Sequence, residues 1–550
     1  MIFPNVKKKH LAENSIVFPE KTVFEACGDG ADDIKRLCGV YGYEVSPGGN
    51  VRLRGKRVFN KGMLVNENGA FTDERYALEI AQGDIPEITI TYCFERALRH
   101  ALNTAKRIAD SKAFEYEYIE DYPSFTKRGF IEGFYGKPWE QQERFSVMRL
   151  MSQHHMNTYF YAPKYDPYHR ERWQDRYDGK SLEKLSALVK KANELGLDFV
   201  WCIAPGLTVQ YSGQEQFFLL MDKLKQVYDI GVRHFGVLLD DISPALQYEN
   251  DRIAFDSLEQ AHICYINNIY RALKQLDSEN TLVFCPFQYH GTGREAYISQ
   301  VGSGLKREID IFWTGRNICS QELTCAEAVT FFENTGHTPL YWDNYPVNDA
   351  EMVNEMHISP VIGREKELSR YSSGLIANCM PYAEAGKIPL ITVADYLWNS
   401  GAYSPKESFE YACEEINGKG TYRSISYFTD NLFFSCLKDD NSVIMNECLY
   451  RVQFDIRTGK KQQAAAELKT YTDRFCKSTN TLSPVLQREL SFWLEKHSLC
   501  ADLLIKAVRY LEEETEENRK AVETAAKKYN MHPARHADFC LQEFIDFLLK

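Results

Sequence analysis

Two adjacent aspartates, Asp240 and Asp241, are the side chains of this 550-residue sequence best suited to chemistry. They follow an apolar run at 234–239, which is typical of a buried parallel strand that ends where the acids begin. Neighbouring carboxyl groups do not ionise independently, so we expect their pKa values to be driven apart. One acid could then hold a proton while the other stays anionic, as acid–base chemistry requires. Taken alone, such a pair more often binds solvent or caps a helix, and the neighbouring sequence is what favours chemistry.

Alternating strand and helix patterns from about 127 to 400 indicate how this pair is positioned. Apolar runs predict strands at 128–134, 157–162, 198–204, 234–240, 282–287, 309–314, 339–342 and 373–378. Between them, one helix is predicted to begin at Ser181 as N-cap and to stop at Gly196, and others span about 214–230 and 257–276. The stretch 347–371 is the weakest, because Pro360 and Gly363 interrupt it.

Eight strands in β-α alternation predict an α/β fold, a (β/α)8 TIM barrel. The alternative is an open doubly wound sheet, which would need a G-x-G-x-x-G turn after an early strand. That motif is absent from the sequence.

In a barrel of this kind, reactive residues gather at the carboxyl ends of the strands. Polar residues follow most of the predicted runs, namely Glu132, Lys164, Asp240, Gln288, Thr314, Asp343 and Asn378. Several aromatic residues accompany them. The pattern favours a sugar-sized pocket on one rim of the barrel.

The barrel is predicted to be the middle of three domains. Residues 1–122 are interpreted as a small α+β domain, with a strand at 87–92, a helix at about 93–111 and a linker at 121–124. The barrel is assigned to 123–403, and 404–550 is predicted to be a helical bundle. An apolar stripe there is expected to be core, comprising Leu486, Leu490, Trp493 and Leu494.

Charge and cysteine content narrow the classes of function. A net charge of −12 argues against nucleic acid and disfavours polyanions such as hyaluronan. Fifteen cysteines without C-x-x-C spacing favour reduced thiols. The sequence has no apolar signal region at its start and no run of ~18 apolar residues. We therefore expect a cytoplasmic protein without a membrane partner.

A metal site is not predicted from the sequence. His532 and His536 are spaced as i, i+4 but lack a third ligand, so we interpret them as surface histidines. A metal-dependent hydrolase is accordingly disfavoured.

Several segments resemble the family-84 glycoside hydrolases, the O-GlcNAcase-like β-N-acetylglucosaminidases. They are Arg128-Gly-Phe-Ile-Glu-Gly-Phe-Tyr-Gly-Lys-Pro-Trp139, Met156-Asn-Thr-Tyr-Phe-Tyr-Ala-Pro-Lys164 with Asp166-Pro-Tyr-His169, Asp198-Phe-Val-Trp-Cys-Ile-Ala-Pro-Gly206, the Asp240-Asp241-Ile242 triplet, Trp313-Thr-Gly315 and Asn344-Tyr-Pro-Val-Asn-Asp349. The resemblance covers most of 128–400. The preceding domain looks like the small domain that precedes the barrel in this family.

The resemblance implies hydrolysis of terminal β-linked N-acetylglucosamine, with retention and assistance from the substrate. The 2-acetamido oxygen attacks the anomeric carbon and forms an oxazoline, which departs from the usual two-carboxylate scheme. Asp240 matches the residue that accepts the acetamido N–H. Asp241 matches the general acid that protonates the leaving oxygen and later activates water.

The other matched positions surround the sugar. Positions that hold sugar hydroxyls correspond to Lys164, Asn344 and Asp349. Gly133 matches a position where the backbone approaches the ring, and Tyr289 one whose hydroxyl is donated to the acetamido oxygen or the oxazoline. The wall around the acetyl methyl group corresponds to Cys285, Thr314 and Trp342, and the pocket is completed by Tyr135 and Asn378.

The resemblance also implies partners and leaves alternatives. It implies no cofactor, a glycan or glycoprotein bearing N-acetylglucosamine as partner, and homodimer formation for some members through the helical domain. Three positions depart from the family pattern at the rim, namely Tyr165, Arg316 and Cys379. An endo-acting hyaluronidase on the same fold and a non-catalytic glycan-binding protein remain alternatives.

Overall fold

A mixed sheet forms the first part of the chain. The computed structural model describes residues 3–439 and 441–550. Within residues 3–121 lies a six-stranded sheet. Its strands are β1 (Lys8–Val17), β2 (Phe24–Gly28), β3 (Val51–Arg57), β4 (Tyr76–Ala81), β5 (Glu87–Tyr92) and β6 (Ala113–Asp121). Their order across the sheet is β1-β6-β4-β5-β3-β2. Helices α1 (Ala31–Tyr41) and α2 (Glu95–Asp110) accompany it. The predicted strand at 87–92 and helix at 93–111 are both confirmed.

A closed parallel barrel follows. In the described part of the chain its eight strands are β7 (Lys127–Glu132), β8 (Thr158–Tyr161), β9 (Asp198–Ile203), β10 (His234–Leu238), β11 (Thr281–Cys285), β12 (Asp310–Trp313), β13 (Pro339–Asp343) and β14 (Gly374–Asn378). Strand β14 pairs in parallel with β7, which closes the barrel. The predicted barrel and all of its predicted strands are confirmed.

Helices surround the barrel in the intervals between strands. They are α3 (Gln141–Gln153), α4 (Gly179–Leu195), α5 (Gln214–Asp229), α6 (Glu249–Ala254), α7 (Leu258–Leu276), α8 (Ala296–Gly304), α9 (Cys325–Thr335) and α10 (Lys387–Trp398). Gly196 ends α4 in the left-handed conformation, as predicted. The predicted N-cap Ser181 is wrong, because the Asp178 carboxylate caps α4 by accepting the Ser181 N–H at 2.7 Å. Only short 3-10 turns occupy the described stretch 347–371.

The barrel strands are mostly apolar because both of their faces are buried, with charged residues such as Arg128 and Glu132 of β7 as exceptions. In β10, Phe235 and Val237 pack outward against the helices, whereas Leu238 belongs to the cluster that fills the barrel. Gly236 also faces inward, where a Cβ atom would lie 2.6 Å from the Cys202 sulfur. The period-two alternation therefore directs every second residue of β10 into the barrel.

Helices form the last part of the chain, as predicted. They are α11 (Pro405–Asn417), α12 (Tyr422–Thr429), α13 (Val443–Arg457), α14 (Lys461–Lys477), α15 (Pro484–Glu489), α16 (Ser491–Glu512), α17 (Glu516–Met531) and α18 (Asp538–Leu548). Leu486, Leu490 and Trp493 of the predicted stripe are buried in the core that they share with the barrel. The stripe spans two helices, since α15 ends just before Leu490 and α16 begins just after it.

The interpretation of both C-terminal histidines as surface residues is wrong for His536. This side chain is fully buried, and its Nε2 atom lies 3.2 Å from Nδ1 of His497. His532 is partly exposed and lies 3.4 Å from a Glu495 carboxylate oxygen. Sequence spacing could not reveal this burial, because Ala537 has a left-handed backbone that turns the chain between α17 and α18.

A buried ion pair joins the first domain to the barrel. Arg128, in β7, has no exposed side-chain surface and forms an ion pair with Glu74 of the first domain. Its Nε and Nη1 atoms also donate to the carbonyl oxygens of His155 at 3.0 Å and of Phe125 at 2.7 Å. The guanidinium thus satisfies its donors within the barrel and through Glu74, and it is the nearest cation to Glu74, which also lies 3.6 Å from Arg96.

We expect Arg128→Met to lower the free energy of unfolding by about 3–5 kcal/mol, because the buried Glu74 charge would lose its closest partner and keep only the more distant Arg96. Urea unfolding followed by tryptophan fluorescence measures the change. The matched control is Arg451→Met, which removes a more exposed arginine paired with Glu467 and should change the free energy by less than about 1 kcal/mol. Equal effects of both substitutions would contradict the assignment of the junction.

Candidate active site

A cavity of about 250 Å³ opens at the carboxyl ends of the barrel strands. It is lined by every residue that the sequence assigns to the site, namely Gly133, Tyr135, Lys164, Asp240, Asp241, Cys285, Tyr289, Thr314, Trp342, Asn344, Asp349 and Asn378. Ligand pockets commonly measure ~300–1,000 Å³. The cavity is slightly smaller than that range and suits one sugar ring.

The backbone at the end of β10 brings two consecutive carboxylates to the same cavity. Asp240 continues the inward series of Gly236 and Leu238, two residues apart along the strand. Simple alternation would point Asp241 away from the cavity. Its backbone instead adopts a left-handed conformation, with φ of 52°, which aspartate tolerates better than most residues. This turn explains how both acids line one cavity.

Asp240 forms a buried ion pair with Lys164, which follows β8. The Lys164 Nζ atom lies 2.7 Å from Asp240 Oδ2, and the two side chains are 4% and 10% exposed. Burial alone would raise the pKa of Asp240, but the charge and hydrogen bond of Lys164 outweigh it and hold that pKa below its ordinary value. Asp240 is consequently the anionic member of the pair.

The second oxygen of Asp240 has a different environment. Asp240 Oδ1 is buried and has no hydrogen-bond partner among the described residues. A buried carboxylate oxygen without a donor is costly, on the order of 1–3 kcal/mol or more. The cavity therefore contains an acceptor that a bound ligand with an N–H or O–H group would satisfy.

Asp241 is held by two tyrosine hydroxyls. Tyr135 donates to Asp241 Oδ2 at 2.9 Å, and Tyr289 lies 3.2 Å from Oδ1. Burial, with the charges of the two aspartates, raises the pKa of Tyr289 above its ordinary value, so this hydroxyl keeps its hydrogen. Both contacts fix the orientation of the Asp241 carboxyl group in the empty cavity.

An amide cluster lines the wall built by β13 and β14. Asn344 Oδ1 accepts hydrogen bonds from Trp342 Nε1 and from Asn378 Nδ2, both at 2.9 Å. Asn344 Nδ2 donates to the Ile318 carbonyl at 2.8 Å, which leaves one of its two hydrogens for a ligand. Asn378 Oδ1 is buried and unpartnered among the described residues. The wall thus offers a donor and an acceptor, as hydroxyl recognition requires.

Close packing explains the glycine at 133. A Cβ atom there would lie 2.6 Å from Trp342 Cζ2 and 3.0 Å from Asn378 Oδ1. Beyond it, the Tyr135 backbone N–H donates to Asp349 Oδ2 at 2.6 Å. Burial raises the pKa of Asp349 above its ordinary value. The backbone after β7 therefore packs against the amide cluster at Gly133, where no side chain would fit, and binds Asp349 at Tyr135.

Several site residues were not predicted from the sequence. Ile318, Cys319, Val347, Ala350 and Met352 complete the cavity lining, and all lie in loops that follow β12 or β13. Arg170 was also missed, although its Nη1 atom donates to the Tyr135 hydroxyl at 2.8 Å. The only available signal was its position next to His169, which ends a segment already matched to the family.

The three departures from the family pattern lie outside the cavity lining. Tyr165 is 62% exposed beside Lys164. Arg316 is half exposed and paired with Glu327, while Cys379 is fully buried behind β14. Each lies next to the site without contributing to its wall.

Neither a metal-binding cluster nor a membrane-spanning helix is found among the described residues. Across residues 3–439 and 441–550, no group of three or more histidine, cysteine or acidic side chains is arranged to hold a metal ion. No helix in the same residues has the length and apolarity needed to cross a bilayer.

Comparison with solved structures places the fold among known proteins. An O-GlcNAc hydrolase mutant of Thermobaculum terrenum is 30% identical and superposes with a TM-score of 0.74, covering 78% of this chain and 95% of that one. The protein CpGH84B is 23% identical with a TM-score of 0.82, and all of both chains is covered. This second likeness concerns the fold alone.

Sequence comparison gives the family. Protein O-GlcNAcase of Rattus norvegicus and that of Mus musculus are each 32% identical over 274 residues, which is 49% of this chain and 29% of theirs. The chain thus spans less than a third of the length of these relatives. The β-N-acetylglucosaminidase family profile matches residues 128–430, more than half of the chain. The chain therefore belongs to the β-N-acetylglucosaminidases of glycoside hydrolase family 84.

Proposed function

We propose that the protein is a retaining exo-β-N-acetylglucosaminidase that releases terminal β-linked N-acetylglucosamine by substrate-assisted catalysis. The observation that carries this proposal is the unpartnered Asp240 Oδ1 atom beside Asp241 in a cavity of one-sugar size. An anion with a free acceptor is what a 2-acetamido N–H needs when the acetamido oxygen becomes a nucleophile. Family membership supports the same choice of sugar.

In the first step the acetamido oxygen attacks the anomeric carbon while the glycosidic bond breaks. Asp241 gives its proton to the leaving oxygen, and Asp240 accepts the acetamido N–H and stabilises the positive charge of the forming oxazoline. Lys164 keeps Asp240 anionic for this role. Tyr289 can turn its hydroxyl from Asp241 to the acetamido oxygen as the substrate enters.

In the second step Asp241, now an anion, accepts a proton from water as the water attacks the anomeric carbon. The oxazoline ring opens and the acetamido group is restored. Because two displacements occur at the same carbon, the sugar leaves with the configuration that it had in the substrate. No enzyme nucleophile is required.

The cavity size supports exo action on a single terminal sugar. Hydroxyl recognition is assigned to Lys164, Asn344 and Asp349, and the acetyl methyl group to the wall of Cys285, Thr314 and Trp342. The partner is a glycan or glycoprotein that carries N-acetylglucosamine. A reducing compartment stays a prediction from the cysteine spacing in the sequence, and a homodimer also stays a prediction.

The deciding experiment uses aryl N-acetyl-β-D-glucosaminides whose acetyl group carries zero, one, two or three fluorine atoms. Fluorine withdraws electrons from the acetamido oxygen, so substrate assistance predicts that kcat/KM falls at every step of the series. Equal rates across the series would exclude participation of the acetamido group. Digestion of hyaluronan to oligosaccharides would favour an endo-acting hyaluronidase, and tight binding without turnover a glycan-binding protein.

We expect Asp241→Asn to lower kcat/KM for unactivated glycosides by roughly 10²–10⁴-fold, the usual contribution of a general acid. Asp240→Asn should cost roughly 10²–10³-fold on every glycoside, because it removes the anion that stabilises the oxazoline. Steady-state kinetics on a 4-methoxyphenyl glycoside, whose leaving group needs protonation, measure both losses. The control is Asp175→Asn, an exposed acid paired with Arg172 outside the cavity. Normal turnover in both cavity variants would contradict the assignment of the pair.

The pH dependence should depend on Lys164. Its charge holds the pKa of Asp240 below the ordinary value against burial, so the active anion persists as the pH falls. In Lys164→Met, burial is opposed only by weaker interactions such as the Arg170 charge, so the pKa of Asp240 rises, which should move the acidic limb of the kcat/KM profile up by roughly one to three pH units.

The matched control for this profile is Lys137→Met. Lys137 follows β7, just as Lys164 follows β8, but its side chain is 78% exposed and paired with Glu140. Its removal should leave the acidic limb in place. An unmoved acidic limb in Lys164→Met would show that another group sets it.

A further inference from the structure

A chain of hydrogen bonds connects Arg170 to Asp241 through one hydroxyl. Arg170 Nη1 lies 2.8 Å from the Tyr135 oxygen, and that oxygen lies 2.9 Å from Asp241 Oδ2. The guanidinium also stands over the Tyr135 ring, 5.9 Å from its centroid. No hydrogen bond or ion pair joins Arg170 directly to Asp241 among the described residues, so Tyr135 provides the hydrogen-bonded link to the acid, while the Arg170 charge also acts on both aspartates across space.

The directions of these bonds follow from the donors available. An arginine side chain can only donate, so the Tyr135 oxygen must accept from Arg170. The single hydrogen of the Tyr135 hydroxyl is then left for Asp241, and Oδ2 must accept it. Protonation of Asp241 Oδ2 is therefore unfavourable, because its hydrogen would face the hydrogen of the Tyr135 hydroxyl.

We propose that Arg170 is a positioning residue which, through Tyr135, confines the acidic proton of Asp241 to its Oδ1 atom. The inference rests on the proposed function, in which Asp241 is the general acid. Arg170 itself would touch neither the sugar nor the reacting atoms. Its role is to fix which of two otherwise equivalent oxygens carries the proton.

The surroundings of Oδ1 suit proton delivery. Its described contact is the Tyr289 hydroxyl at 3.2 Å, which can accept from a protonated Oδ1 or donate to an ionised one. When Tyr289 turns to the acetamido group, Oδ1 becomes free to face the leaving oxygen. Oδ2 stays bound to Tyr135 throughout.

Rotation of the carboxyl group is the process that this arrangement prevents. The terminal torsion of aspartate is broad and roughly two-fold, so an unrestrained carboxyl group exchanges its oxygens readily. Asp241 is also exposed, so packing does not restrain it. Without the Tyr135 bond, part of the population would carry the proton on the oxygen that faces away from the leaving group.

The test compares two leaving groups. A 2,4-dinitrophenyl glycoside needs little protonation as it leaves, whereas a 4-methoxyphenyl glycoside needs a well-placed acid. We expect Arg170→Met to lower kcat/KM roughly tenfold on the 4-methoxyphenyl N-acetyl-β-D-glucosaminide, and less than about twofold on the dinitrophenyl one. Tyr135→Phe should give the same leaving-group pattern, and Arg170→Lys, which keeps a donor-only cation, should recover most of the loss.

The double variant separates a relay from a simple charge effect. If Arg170 acts through Tyr135, the Arg170→Met and Tyr135→Phe losses on the 4-methoxyphenyl substrate should not add in the double variant. The matched control is Arg172→Met, which should leave both rates unchanged. Arg172 lies two positions after Arg170, is exposed and is paired with Asp175.

The outcomes distinguish this inference from the function on which it rests. Equal losses on both glycosides in Arg170→Met, or additive losses in the double variant, would overturn the positioning role while wild-type turnover upheld the proposed function. If the wild-type protein turned over neither of the two glycosides, the proposed function and this inference would be overturned together. Unchanged urea midpoints exclude a folding defect as the cause of the losses.

Discussion

The buried ion pair between Lys164 and Asp240 is the constraint on which the site depends. Each charge would be costly in the cavity without the other, because both side chains are almost completely removed from solvent. The two residues follow β8 and β10, which are separated by β9 in the barrel. The parallel pairing of β8 with β9 and of β9 with β10 therefore brings their carboxyl ends to one rim, and the ion pair in turn keeps one carboxylate ionised inside the cavity.

The two aspartates owe their different roles to the backbone. Asp240 follows the inward alternation of β10 and is held by a cation, whereas Asp241 adopts a left-handed conformation and is held by hydroxyls. A non-glycine residue in this conformation is uncommon and is often found at functional sites. One strand end can thus deliver both acids to one cavity without a second strand.

Much of this organisation could be predicted, and the failures share a cause. Barrel strands are buried on both faces, so apolar runs with polar ends identify them and the cavity rim without any structure. The N-cap of α4, the burial of His536 and the contact of Arg170 with Tyr135 were not predictable in this way. Each depends on the path of a turn or loop, which has no periodic pattern in the sequence.

In both Asp240 and Asp241, the protein binds one carboxylate oxygen, Oδ2, and leaves the other available to the substrate. Asp240 Oδ2 accepts from the Lys164 ammonium, and Asp241 Oδ2 accepts from Tyr135, whose oxygen is bound by Arg170. Both cations lie in the segment that follows β8, and neither can accept a hydrogen bond. The protein therefore occupies one oxygen of each acid with donors. The other oxygen of Asp240 has no described partner, and that of Asp241 has one exchangeable hydroxyl. A substrate that places an N–H against Asp240 Oδ1 and its leaving oxygen against Asp241 Oδ1 would give each oxygen a hydrogen-bond partner.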